Sequence, residues 1–191
     1  YIFCIADVSG KGIPAALLMS HIQATLHTLC QYTHNLKDIT LELNKRVIQQ
    51  TRYQKFVSFF LGKINMRSQQ LTYINAGHNP PLLVYDSKTL LLDHGCPLLG
   101  ISDQLMHHMD VKMIHYSGSF RLLCYTDGIS ESFLNDRYGL TPSEMNALYS
   151  SQSSLKSWLQ EIVSEAQKRR EQVNFEDDVA LLAIQVQDIQ F

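Results

Sequence analysis

Four carboxylates stand where apolar runs meet turns. Asp7 closes the run that begins at Tyr1, Asp127 follows Leu122–Thr126 just before Gly128, and Asp177 and Asp178 open the run Val179–Val186. A lone charge beside a buried strand is costly to desolvate. Carboxylates gathered in one place repel unless a cation lies between them. Oxygen donors without a nearby set of Cys or His favour Mg²⁺ or Mn²⁺. Two such ions can share a bridging carboxylate and activate a water for attack on phosphorus. Aspartate also ends strands simply because it favours turns, so each position alone is weak and the set raises the metal reading without settling it. Asp110 and Asp136 have nothing comparable around them and read as surface residues.

Other chemistries find less support. The four cysteines, Cys4, Cys30, Cys96 and Cys124, show no C-x-x-C spacing, and three lie in apolar runs. They read as buried thiols of a reducing compartment. The eight His are scattered, with His107-His108 an isolated pair, so a zinc site is not expected. There is no G-x-x-x-x-G-K-[ST] and no G-x-S-x-G, and Gly10-Lys11-Gly12 lacks the third glycine of a dinucleotide loop. The chain has 191 residues, 45% hydrophobic and 18% charged, with a formal net charge of -2. That balance excludes a disordered chain and a broad electrostatic grip on nucleic acid. No apolar run reaches the roughly 20 residues of a membrane span, so membrane contact is not expected.

The elements that must position these groups follow from periodicity. Residues 1–7 read as a buried strand, and a turn follows over Val8–Gly12. A helix comes next with Pro14 in its first turn and Ala15, Leu18, Ile22, Leu26 and Leu29 at helical spacing. A second helix covers Leu36 to about Arg52, with Ile39, Leu43 and Val47 on one face. Short β-rich runs are expected at Phe56–Ile64, Leu71–Ala76, Leu82–Tyr85, Leu90–Asp93, Met109–His115 and Leu122–Thr126. Two more helices should follow Thr141. The second runs from Ser154 to about Arg170, with Leu155, Leu159, Ile162 and Ala166 on one face and Lys168-Arg169-Arg170 complementing its C-terminal dipole. A final strand is expected at Val179–Val186. The order predicts an α+β fold with helices on an antiparallel sheet system. No repeat or linker interrupts it, so a single domain over 1–191 is the simplest organisation. The start carries neither Met nor a signal peptide, and the expectation is a piece of a longer protein.

Four motifs carry a resemblance. Ala6-Asp7-Val8-Ser9-Gly10-Lys11-Gly12-Ile13-Pro14-Ala15-Ala16 resembles the first metal-binding motif of the bacterial SpoIIE-like serine phosphatases, which belong to the metal-dependent (PPM, type 2C) protein phosphatases. Asn75-Ala76-Gly77-His78-Asn79-Pro80-Pro81-Leu82 is similar to their mid-domain turn signature. Tyr125-Thr126-Asp127-Gly128-Ile129-Ser130-Glu131 resembles their second acidic motif, and Glu176-Asp177-Asp178-Val179-Ala180-Leu181-Leu182 their C-terminal one. The four stand in family order across nearly the whole chain.

The resemblance implies a β-sandwich flanked by helix pairs, with strands upstream of the first motif missing here and a strand edge left open to pairing, including a possible homodimer. It implies two Mn²⁺ or Mg²⁺ ions. Asp7 would bridge both, the Val8 backbone carbonyl would bind one, and Asp127 and Asp177 would complete the other, with Asp178 as neighbour. It implies hydrolysis of phosphoserine or phosphothreonine by a metal-activated water, with no covalent intermediate. Lys11 could meet phosphate or be a solvated loop lysine. His78 reads as a structural turn residue bonded to backbone rather than a general acid. Family members are cytoplasmic output modules of longer bacterial signalling proteins, with a sensor or two-component receiver domain upstream. Their substrates are phosphorylated STAS-type anti-sigma-factor antagonists, which places them in sigma-factor regulation. The two helices over Gly12–Arg52 would be a regulatory switch. The family's last motif has Thr where Ala180 stands, and often Asp where Ser119 stands. A non-catalytic phosphoprotein-docking domain on the same fold is the main alternative. A hydrolase of small phosphoesters or nucleotides is a third, without a nucleotide loop to support it.

Overall fold

A computed structural model describes residues 1–85, 88–130, 141–149, 154–170 and 179–187. The chain divides into two compact units, Tyr1–His78 with Asp93–Tyr116, and Asn79–Leu92 with Ser117–Phe191. Both combine helices with largely antiparallel sheet, an α+β organisation as the element order predicts.

In the first unit, strand β1 (Ile2–Val8) is followed by helices α1 (Ile13–Tyr32) and α2 (Leu36–Thr51), then strands β2 (Val57–Asn65) and β3 (Gln70–Ala76). Pro14 sits in the first turn of α1, where its missing N–H leaves no bond unmade. Asn35 caps α2 by accepting from the Lys37 N–H, and Asp38 in the first turn complements the dipole. Arg52 ends the helix in the left-handed region at φ 51°. The buried side of α2 is Leu36, Ile39, Thr40, Leu43, Asn44 and Val47. That spacing lays one stripe along the sheet.

The sheet has order β1-β2-β3. The far edge of β3 is shared by β6 (Gly95–Cys96), parallel at Asn75–Ala76, and β7 (Lys112–His115), antiparallel at Gln70–Tyr73. Register decides which side chains share a face. Val8 opposes Val57, Ala6 opposes Phe59, and Phe59 opposes Ala76. These residues, with Leu61 and Ile74, pack against Leu18, Ile22, Ile39, Leu43 and Val47 of the helices. The alternate residues form the other face: Phe3, Ile5 and Asp7 on β1, Ser58 and Phe60 on β2, Tyr73 and Asn75 on β3. Phe60 stacks on Tyr73 at 5.6 Å and meets Phe3 at 6.1 Å on that face.

In the second unit the order is β5-β4-β8-β9, all antiparallel, with β4 at Leu82–Tyr85, β5 at Lys88–Leu91, β8 at Phe120–Tyr125 and β9 at Leu181–Val186. A one-turn helix α3 (Asp127–Ser130) follows β8 directly. Helix α4 (Pro142–Ala147) opens on a capping box between Thr141 and Glu144. Helix α5 (Leu155–Arg170) presents Trp158, Ile162 and Ala166 to Leu82, Leu123, Tyr125, Ile129 and Met145. Trp158, fully buried, donates from Nε1 to the Met145 carbonyl at 2.8 Å. The Arg121 guanidinium stacks 3.2 Å from the centre of the Tyr149 ring, a cation–π contact that closes this core.

Several expected strands shift at their ends, and β6 was not expected; three differences are the largest. The run expected at Leu90–Asp93 is strand over Lys88–Leu91, set by the register Leu82↔Leu91 and Tyr85↔Lys88 with β4. The run expected at Met109–His115 begins at Lys112 and is preceded by a 3-10 turn over Leu105–His108. The final strand begins at Leu181, where pairing with Tyr125 starts, instead of Val179. No helix among the described residues is long and apolar enough to cross a membrane.

Candidate metal centre

Asp7 lies one residue before the end of β1, half-buried, on the face opposite the helices. The chain leaves the ladder in a defined way. The Ser9 N–H donates to the Phe56 carbonyl at 2.9 Å, and the Phe56 N–H donates back to Ser9 Oγ at 3.0 Å. Hydrogen-bonded pairs alternate along an antiparallel ladder. Ser9 bonds to Phe56, just before β2, so Val8 does not bond Val57, and the Val8 carbonyl points away from β2. Val57, its partner in register, confirms the alternation by exchanging both bonds with Leu99 on the opposite side, at 2.9 and 3.0 Å. Among the described residues β1 has one strand neighbour, β2. A carboxylate and the next carbonyl thus stand at a strand end with no bond to β2 taking that carbonyl. Both are hard oxygen donors, which fits a divalent cation of the Mg²⁺ or Mn²⁺ kind.

The turn after β1 depends on Gly10 at φ 88°, a conformation that side chains rarely adopt. The Lys55 ammonium occupies the space a side chain at Gly10 would need. Lys55 therefore lies beside this turn, whereas Lys11 is exposed. Nothing in the sequence distinguished Lys55, because the contact comes from the Ser9–Phe56 bonds that hold its backbone alongside.

The Asn75–Pro81 motif builds a turn at the end of β3. Asn75 Nδ2 donates to the His78 carbonyl at 2.9 Å, and the His78 N–H donates to Asn75 Oδ1 at 2.7 Å. Gly77 takes φ 66° between them. Gly95 pairs with Asn75 so closely that a Cβ there would meet the Asn75 backbone. His78 is buried, and its Nδ1 lies 2.8 Å from Ser58 Oγ. His78 is thus a turn residue whose backbone is held by the Asn75 side chain, but its ring bonds a side chain, Ser58 twenty residues away in sequence, instead of the backbone expected from the sequence.

In the second unit, Asp127 is the first residue of α3, directly after Thr126. Buried Thr126 ties the end of β8 to the residues that lead into β9. Its N–H donates to the Ala180 carbonyl at 3.1 Å, and the Ala180 N–H donates to Thr126 Oγ1 at 2.9 Å. A hydroxyl is thus supplied here by Thr126, with Ala at position 180. Asp177 and Asp178 lie outside the described residues, as do Asp136 and Glu131. Asp7 belongs to the first unit and Asp127 to the second. No group of three or more His, Cys, Asp or Glu is positioned for a metal among the described residues.

The remaining titratable groups fit structural roles. Asp110 is exposed and lies 3.2 Å from His94 Nδ1. Burial pushes the Cys4 and Cys96 thiols up to about 11 and raises that of Cys30. Thiols kept protonated are poor nucleophiles and poor metal ligands. All four cysteines are free; only Cys124 is buried as expected, while Cys4, Cys30 and Cys96 are half-buried, each at the edge of a packed face.

Comparison with known proteins identifies the architecture and then the family. The fold is that of type 2C phosphatase domains: the chain superimposes on the PP2C phosphatase domain of the cell-fate determinant SpoIIE from Bacillus subtilis with TM-score 0.79 at 15% identity, covering 98% of this chain and 53% of that one. It also superimposes on RsbX crystallised with magnesium, TM-score 0.66 at 16% identity, covering 95% of this chain and 79% of that one. Residues 1–187 match the family described as Stage II sporulation protein E (SpoIIE), and the chain belongs to that family. The phosphoserine phosphatase RsbU of Bacillus subtilis (strain 168) is 32% identical over 131 residues, covering 66% of this chain and 38% of RsbU. The chain thus spans little more than a third of that relative's length.

Proposed function

We propose that this chain is a metal-dependent serine/threonine protein phosphatase domain. The observation that carries the reading is the SpoIIE-family match over residues 1–187 on a type 2C fold, with Asp7 and the Val8 carbonyl, two hard oxygen donors, adjacent at the end of β1. Asp7 would bridge two ions, the Val8 carbonyl would bind one, and Asp127 and Asp177, with Asp178 beside them, would hold the other. The magnesium bound to RsbX supports a divalent cation of this class. Such ions, when bound, lower the pKa of water and neutralise charge on phosphoryl oxygens. The protein's part is placement. Asp7 sits in the β1–β2 ladder, Ser9 ties the turn to Phe56, and Thr126, directly before Asp127, bonds Ala180. Preorganised groups of this kind need no rearrangement as charge develops.

The phosphoserine phosphatase named RsbU supports a phosphoprotein substrate, for which a STAS-type anti-sigma-factor antagonist is the expected member, under control of a regulatory domain elsewhere in a cytoplasmic signalling protein. A panel of phosphoserine peptide, phosphothreonine peptide and nucleoside monophosphate with Mn²⁺ tests the class. Phosphate release from the peptides is expected. Peptide binding without release would favour a docking domain, and preference for the nucleotide would overturn the protein-substrate reading.

A further inference from the structure

His78 is held more firmly than a turn requires. One side chain, Asn75, bonds both its N–H and its carbonyl, and the residue is 5% exposed. That clamp delivers Nδ1 to Ser58 Oγ at 2.8 Å. Ser58 in turn stands directly opposite Asp7 in the β1–β2 register. Directly opposed side chains share a face with Cβ atoms about 4.5–5.5 Å apart, within reach of a hydroxyl-to-carboxylate bond. Resting on the metal-dependent reading above, the geometry points to His78 as a positioning residue that acts on Asp7 through Ser58. With Nδ1 protonated, the ring donates to Ser58 Oγ. That leaves the Ser58 hydroxyl proton available to the Asp7 carboxylate across the ladder. A ligating carboxylate fixed by such a partner presents its remaining lone pairs in one direction, and losing the partner typically weakens metal binding about 10–100-fold. The Asn75–Pro81 turn thereby gains a role in the metal site although it contributes no ligand. Its purpose is to aim one ring nitrogen at one hydroxyl across the strand from Asp7.

The test measures Mn²⁺ binding to the full chain by electron paramagnetic resonance, with melting temperature recorded for every variant. The series is the parent, Asp7→Asn, Ser58→Ala, His78→Leu, His78→Asn and the Ser58→Ala/His78→Leu double variant. Asp7-dependent Mn²⁺ affinity should fall about 10-fold or more in Ser58→Ala and in His78→Leu. The double variant should be no more than about twofold weaker than the worse single one, because both act along one route. His78→Asn, whose amide can donate from near the Nδ1 position, should recover most of the loss. A lower melting temperature with parental Mn²⁺ affinity in His78→Leu, or fully additive losses, would make His78 a fold residue and overturn the proposal. Should His78→Leu not fold, parental affinity in Ser58→Ala would overturn it equally. Absence of Asp7-dependent binding in the parent would instead sink the metal reading itself, and the Asp7→Asn arm separates that failure from failure of the relay.

Discussion

Two asparagines make the same pair of bonds in different places, which gives a matched perturbation. Asn75 bonds the His78 N–H and carbonyl at 2.7 and 2.9 Å. Asn44, on α2, bonds the Gly100 N–H and the Ser102 carbonyl, each at 2.8 Å. They are 4% and 3% exposed. Substitution by alanine strips two backbone groups of their partners in either case. A buried group left unsatisfied costs about 1–3 kcal/mol, so each variant should lose roughly 2–5 kcal/mol once entering water relieves part of the loss. For a chain of this length a loss of 1 kcal/mol lowers the melting temperature about 2–4 °C, and both variants should melt roughly 5–15 °C below the parent. Their effects on Mn²⁺ binding should differ. Asn75→Ala releases His78 from Ser58 and should weaken binding about 10-fold. Asn44→Ala disturbs only the packing of α2 on the 100–102 turn and should bind as the parent does. Calorimetry and Mn²⁺ titration below both melting transitions read the two quantities separately. Equal losses of affinity in both variants would refute the reasoning, because the effect would then follow stability alone. A melting temperature for Asn75→Ala within about 1 °C of the parent would refute the clamp's energetic role.

Trp158→Phe removes the Nε1 bond to Met145 and part of a fully buried side chain. It should cost about 2 kcal/mol by urea denaturation followed with circular dichroism, and a change under about 0.5 kcal/mol would contradict the packing described for the second unit. Thiol chemistry gives a pH prediction. The folded-state values of Cys4 and Cys96, about 11 against an ordinary 9.0, mean that burial favours the protonated form. Their contribution is fully present below pH 9 and is lost as pH rises from 9 towards 11. At pH 8 both should react with an aromatic disulfide reagent more slowly in the native chain than in urea, and equal rates in the two states would contradict the raised values.

Much of the scaffold follows from local signals. The apolar run into Asp7, Pro14 at a helix start and the stripe Ile39–Leu43–Val47 each reflect a short-range rule, and β1, α1 and α2 lie where those rules place them. Phe56–Ile64 and Leu122–Thr126 differ from β2 and β8 by one or two residues, since ends depend on the partner's register. β6 leaves no mark in the sequence, because two residues carry no periodicity and pair only through proximity to β3. The stripe Leu155–Leu159–Ile162–Ala166 marks the buried face of α5 without requiring Trp158, whose burial comes from its bond to Met145 and its contact with Tyr149. The carboxylates Asp7 and Asp127 were visible from sequence, since strand ends and motif order mark them. The side chains around them were not. Ser58 reads as an ordinary strand serine, Lys55 as a loop lysine, and Thr126 as the residue before Asp127. Each gains its role from a partner made near by the fold: His78, Gly10 and Ala180 respectively.

The central claim is tested most directly by hydrolysis of p-nitrophenyl phosphate as Mn²⁺ is titrated, comparing the parent with Asp7→Asn and Asp127→Asn at matched folded fraction. The account predicts turnover that rises with Mn²⁺ in the parent and falls more than about 100-fold in both variants, since each removes a ligand itself. Turnover independent of Mn²⁺, or retained in Asp127→Asn at parental levels, would contradict it.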